Sequence, residues 1–72
     1  MKRINVTSSS IKSVGYDIYK RLLEIEFTRG AIYQYKCVDY VDVLNLLFSA
    51  SVSAGKYFDI HIKNGYEYEK IN

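Results

Sequence analysis

Few residues in this chain could carry out covalent chemistry. Cys37 and His61 are its one cysteine and one histidine, and a nucleophilic thiolate needs a base or cation beside it. Nothing in the sequence joins the two. The simpler readings are a small buried hydrophobe for Cys37 and a surface or helix histidine for His61. Glu24 and Glu26 share one strand face and could mimic a carboxylate pair, but a solvated outer face explains them as well. Thr7-Ser8-Ser9-Ser10 offers hydroxyls to a phosphate or to RNA, and equally to its own backbone. The sequence has no zinc-type Cys/His cluster, no phosphate-loop pattern and no nucleophile elbow. The chain is therefore expected to be no enzyme and to need neither cofactor nor metal.

Tyrosine stands out instead. There are eight tyrosines and three phenylalanines, but no tryptophan. Tyrosine joins ring area to a polar tip, which suits both recognition surfaces and the rim of a small core. Alternation puts Tyr33 and Tyr35 in the core. Tyr19, Tyr57, Tyr66 and Tyr68 are the candidates for exposure. Bases of single-stranded RNA stack on such rings, and lysines and arginines track the backbone. The expected nucleic-acid-binding set is Tyr57, Lys56, Lys63, Tyr66, Tyr68, Arg29 and Lys36. The net charge of +2 permits such contact without demanding it.

Seventy-two residues make one domain, 1–72, of a size that buries only about 60% of its unfolded surface. A single cysteine cannot form an internal bridge and fits a reducing compartment, so the expected location is cytoplasmic. No apolar run approaches the ~18–20 residues of a membrane span. Met1-Lys2-Arg3 leads into polar residues rather than a signal-peptide core.

The elements that must position these groups start with Leu22 to Val38. Leu23, Ile25 and Phe27 alternate with Glu24, Glu26 and Thr28. Beyond Gly30, Ala31, Tyr33, Tyr35 and Cys37 alternate with Ile32, Gln34 and Lys36, which puts the Tyr33, Tyr35 and Cys37 side inward. A two-residue turn would pair Ile25 with Gln34. A three-residue loop, Thr28-Arg29-Gly30, pairs Ile25 with Tyr33 and sets both apolar rows on one face, with Gly30 at the left-handed position. Arg3 to Val6 reads as a short first strand with Ile4 and Val6 inward. Ile11 to Tyr16 reads as a second, with Gly15 marking a bulge or a close backbone approach. Asp17 to Lys20 turns the chain, although Ile18 and Tyr19 are poor turn residues. A helix follows from an Asp39 N-cap to near Ala50, with Leu44, Leu47 and Phe48 as its core face. Ser49 to Ser53 reads as a connector. Phe58, Ile60 and Ile62 alternate as in a strand. Ala54, Phe58 and Ile62 equally share a helix face between an N-cap at Ser53 and a C′ residue at Gly65. Tyr66 to Ile71 alternates as a last strand. The expected fold is α+β: a small antiparallel sheet of three to four strands with a central hairpin, packed by one or two short helices.

A strand ending in Phe27, a glycine turn and Tyr33-Gln34-Tyr35 resemble the KTSC domain. Ser8-Ser9-Ser10-Ile11, Ser13-Val14-Gly15-Tyr16 and Leu46-Leu47 extend the likeness. So do Ser53-x-Gly55-Lys56-Tyr57-Phe58, Ile62-Lys63 and Tyr66-x-Tyr68, so that it runs from about Ile4 to Ile71. The family often has a proline near Val38-Asp39-Tyr40, where this chain has none. The resemblance favours a helix over the ambiguous stretch. KTSC domains are named for the C-terminus of some lysyl-tRNA synthetases and also occur as single-domain bacterial proteins. The resemblance thus implies single-stranded RNA or tRNA as partner. The alternative is a protein-interaction module: a homodimer, or a small adaptor or inhibitor of a larger bacterial protein, with a strand edge open to self-association. A composition rich in Ile, Asn, Lys and Tyr suits an AT-rich bacterium or its phage.

Overall fold

The computed structural model describes residues 1–48 and 53–72. Among them is a five-stranded antiparallel sheet in the order β1-β2-β3-β4-β5. Its strands are β1 (Ile4–Asn5), β2 (Ile11–Asp17), β3 (Leu22–Phe27), β4 (Ile32–Tyr35) and β5 (Tyr68–Lys70). Between β4 and β5 the chain leaves the sheet as α1 (Tyr40–Phe48) and α2 (Ala54–Tyr57), and α2 runs on into a wider-wound π turn over Phe58–Ile62. The fold is α+β as expected, but with five strands rather than three or four. The outermost strands are two and three residues long, shorter than the stretches Arg3 to Val6 and Tyr66 to Ile71 read for them, and both pair into the one sheet.

The hairpin register is the expected one. Leu23 pairs with Tyr35 and Ile25 with Tyr33. The Phe27 N–H donates to the Ala31 carbonyl at 2.9 Å, and the Gly30 N–H donates to the Phe27 carbonyl at 2.9 Å. Gly30 has φ +103, a conformation open to a residue without Cβ. In β2 a bulge between Ile11 and Ser13 brings Ile11 and Val14 to the same buried face. The bulge is not at Gly15. Gly15 is instead a close approach, since a Cβ there would lie 2.8 Å from the Lys2 carbonyl oxygen. The N-terminal residues cross the outer sheet face at that point. Arg3 ion-pairs Glu24 at 2.6 Å, the Gln34 amide donates to the same carboxylate at 2.8 Å, and the Ser13 hydroxyl donates to Glu26 at 2.8 Å. Glu24 is thereby buried, contrary to the expectation of a solvated outer face.

The β2–β3 turn is made by Asp17, whose carboxylate accepts from the Tyr19 and Lys20 N–H groups at 3.0 and 3.1 Å. This Asx turn leaves Ile18 and Tyr19 in solvent, so their poor turn propensity matters little.

Helix α1 is rotated from its expected phase. Val43 and Leu46 are its buried residues, Leu47 packs at the margin of the core, and Leu44 and Phe48 are exposed. Six of its nine residues are aliphatic or phenylalanine, so more than one stripe satisfies helical spacing and periodicity cannot choose between them. Asp39 stands just before α1, and its carbonyl accepts from the Asp42 N–H at 3.0 Å. Its carboxylate is drawn away to Arg21. The expected helix end near Ala50 and the connector from Ser49 fall on residues outside those described. Ser53 caps α2 as expected, its hydroxyl accepting from the Lys56 N–H at 3.3 Å. The ambiguous stretch is helical: the Lys63 N–H donates to the Phe58 carbonyl at 2.9 Å, five residues back, which is the π spacing. Gly65 does not supply the expected left-handed C′ residue, and Gly30 is the glycine with positive φ among the described residues. Cys37 is exposed at φ +57 instead of buried, because β4 ends at Tyr35 and the chain turns there. Among the described residues no helix is long and apolar enough to cross a membrane.

Substituting Gly30→Ala should cost ~1 kcal/mol or more, because alanine resists positive φ. Leu46→Ala should cost ~2–5 kcal/mol as a buried truncation, and Leu44→Ala less than about 1 kcal/mol as a largely exposed one. Urea denaturation of the three variants ranks them. A Leu44 variant weaker than the Leu46 variant would restore the phase read from spacing.

Candidate functional site

Three of the residues expected to bind nucleic acid, Arg29, Lys63 and Tyr68, line a single cavity of about 380 Å³. It opens between the β3–β4 loop and the π turn. Its floor is aromatic and follows from the hairpin register. Phe27, Tyr33 and Tyr35 project from the inner sheet face, and Tyr68 stands beside Tyr35 in the β4–β5 register. Phe58 closes one wall, with its ring edge-to-face at 5.3 Å from Phe27 and 5.4 Å from Tyr35. Tyr68 lies 5.6 Å from both Tyr33 and Tyr35. Tyr35 is buried whereas Tyr68 is 57% exposed, so Tyr68 keeps ring surface for a ligand. Burial pushes the Tyr35 hydroxyl up to about 12, reinforced by its neighbours Tyr33 and Tyr68, so it stays neutral in the groove.

The rim is polar. The Arg29 guanidinium sits 5.7 Å over the Phe27 ring centroid, a cation–π distance that holds it at the mouth. Asp59 lies in the π turn, Lys63 directly follows it one helical turn further on, and Asn64 comes next. Ser9 and Ser10 enter from the β1–β2 loop. That loop is shaped by the Ser8 hydroxyl, which accepts from the Ser10 and Ile11 N–H groups at 3.3 Å each. The Thr28 N–H donates to the Ser10 carbonyl at 2.9 Å, tying the loop to the hairpin tip. The serine run therefore serves its own backbone and also reaches the cavity. Among the described residues, ion pairs join Arg3 to Glu24 and Glu26, and Arg21 to Asp39. Arg29, Lys63 and Asp59 are in none of them.

The other expected site residues lie elsewhere. Tyr57 and Tyr66 are not exposed recognition rings. Their hydroxyls both donate to Asp42, at 2.7 and 2.5 Å, and the Asn45 amide donates to the Tyr57 oxygen at 3.1 Å. Alternation and charge spacing cannot show that a first-turn aspartate on α1 will meet two tyrosines distant in sequence. Burial first, then the bond to Asp42, raises both phenols, Tyr66 to about 12. Lys36 and Lys56 are exposed but do not line the cavity. Tyr19 is 96% exposed at the opposite end of β3. His61 is exposed, its ring 4.3 Å from that of Tyr57. No group of three or more His, Cys, Asp or Glu among the described residues could hold a metal ion. Asp59 and Asn64 escaped the sequence reading, because only the π turn brings them to an aromatic groove.

The class of protein is thus a small α+β domain whose helical connection leaves an aromatic groove with a charged rim among the described residues. The KTSC domain family model matches residues 7–66, and the chain belongs to that family. It is 40% identical over 73 residues to an uncharacterized protein of Stutzerimonas stutzeri (strain A1501), covering 100% of both chains. It is also similar to a KTSC domain protein from Yersinia pestis of known crystal structure. That likeness has a TM-score of 0.85 and 42% identity, over 99% of this chain and 97% of the other.

The tyrosine hydroxyls set an alkaline limit on stability. Their pKa values are raised in the fold above the usual 10.0. The unfolded chain therefore loses these protons first as pH rises. The stabilisation should be complete below about pH 10 and fall as pH climbs through about 12. Urea midpoints measured from pH 8 upward should show this decline, and Tyr66→Phe should flatten it. A midpoint unchanged up to pH 12 would contradict the raised values.

Proposed function

We propose that this chain is a non-enzymatic binding module that takes single-stranded RNA into the aromatic groove, in the cytoplasm of a bacterium or its phage. The observation that carries the reading is the convergence of Arg29, Lys63 and the exposed ring of Tyr68 on one cavity. Bases can stack on Tyr68 while the two cations, unpaired within the fold among the described residues, meet phosphates. The likeness to domains at the C-terminus of lysyl-tRNA synthetases supports the same partner class, including tRNA ends. Single strands are favoured because stacking needs splayed bases.

A second reading, a protein-interaction module acting as a homodimer or as a small adaptor or inhibitor, is favoured by one observation. Val41, Leu44 and Phe48 form an exposed apolar stripe along α1. Pairing through a strand edge is less favoured, since β1 and β5 are short and short edges resist augmentation.

Fluorescence anisotropy with a labelled single-stranded RNA, titrated at several salt concentrations, tests the first reading. Two engaged cations give a shallow log–log salt slope of about −1.4, and Arg29→Ala or Lys63→Ala should each reduce its size by about 0.7. Tyr68→Ala should weaken binding at every salt concentration, whereas Lys36→Ala and Lys56→Ala should change little. Absence of binding at about 50 mM salt and tens of micromolar protein would leave the α1 stripe as the better guide. Sedimentation with Phe48→Asp then tests whether that stripe joins two copies.

A further inference from the structure

The groove contains a carboxylate that a surface built for phosphates alone would not need. Asp59 is exposed on the π turn and lines the cavity with Arg29 and Lys63. It takes part in none of the ion pairs among the described residues. Against an RNA backbone a negative charge there is repulsive and lowers affinity. Against the edge of a base it is useful. A carboxylate is acceptor-only, with two oxygens side by side. Guanine presents two adjacent donors on its Watson–Crick edge, N1–H and the N2 amino group. Adenine and cytosine set one amino donor beside an acceptor, and uracil sets one N–H between two acceptors. Asn64, also on the rim, carries an amide that can donate to the guanine O6. The cavity, about 380 Å³, is near the lower end of small-molecule sites and suits one planar ring system rather than a run of bases.

Resting on the RNA reading above, we propose that the groove selects guanine. The base stacks on Tyr68, Asp59 accepts from N1–H and N2–H₂, and Arg29 and Lys63 hold the flanking phosphates. Charge-assisted bonds of this kind are the stronger ones. A base lacking either donor leaves a carboxylate oxygen facing an acceptor or nothing.

The test is anisotropy with a set of labelled short uridine strands that differ at one central position: guanosine, adenosine, cytidine, uridine or inosine. Guanosine should bind about tenfold tighter than adenosine, cytidine or uridine, the discrimination of one bidentate base contact. Inosine, which keeps N1–H and lacks the amino group, should fall between them, and it tests the pairing with no change to the protein. Asp59→Asn should bring guanosine down to the level of uridine while the all-uridine strand binds as well or better, because a repulsive charge has gone. Equal affinity for all five strands, or a guanosine preference that survives Asp59→Asn, would overturn the base assignment and leave RNA binding standing. Failure of every strand to bind would overturn both.

Discussion

The register of the β3–β4 hairpin is the constraint on which the rest of the molecule depends. Pairing Ile25 with Tyr33 and Leu23 with Tyr35 puts Leu23, Ile25, Phe27, Tyr33 and Tyr35 on one face. A slip of one residue would set Gln34 opposite Ile25 and turn Tyr33 and Tyr35 to the other face. The three-residue loop with Gly30 at positive φ makes this pairing reachable. The same choice creates the groove, because Tyr33 and Tyr35 are core residues by position and floor residues by ring. Core and candidate site are one surface, divided where the helical cover stops.

That cover is held by Asp42. Its carboxylate, on the first turn of α1, takes the hydroxyls of Tyr57 on α2 and of Tyr66 on the approach to β5. A carboxylate with two donors tolerates partial burial that an unpaired one would not. The contact joins three segments that share no sequence neighbourhood. It also explains how the tyrosines divide. Tyr57 and Tyr66 spend their hydroxyls on Asp42, whereas Tyr68, at the sheet edge, keeps ring surface free. The π turn completes the arrangement by burying Phe58 and Ile62 while leaving Asp59 and Lys63 on the rim. Such widened turns recur at functional sites.

The charges are sorted by the same geometry. Arg3 fastens the N-terminal residues over the outer face by closing on Glu24, and Arg21 ties the β2–β3 turn to Asp39 beside α1. The first pair satisfies a buried carboxylate, whereas the second lies exposed at the surface. Arg29, Lys63 and Asp59 line the groove and enter none of the ion pairs among the described residues. For the proposed RNA binding, the two cations that line the groove bear more directly than the net charge of +2.

Much of this was legible in the chain itself. The hairpin, its loop length and the left-handed Gly30 follow from two alternating rows that tolerate one register, and the Ser53 cap from local chemistry. Arg29, Lys63 and Tyr68 could be named as candidates by type. The phase of α1 could not be read, since an apolar helix offers several equivalent stripes. Nor could the outward turn of Cys37 or the burial of Glu24, which depend on where β4 stops and where the N-terminus folds back. Tyr57 and Tyr66 looked like surface rings because nothing local reveals Asp42 as their partner. Alternation and capping act between residues a few positions apart and are written in the sequence. The Asp42 contacts and the groove join segments far apart in the chain, and only the packing of the helices on the sheet brings them together.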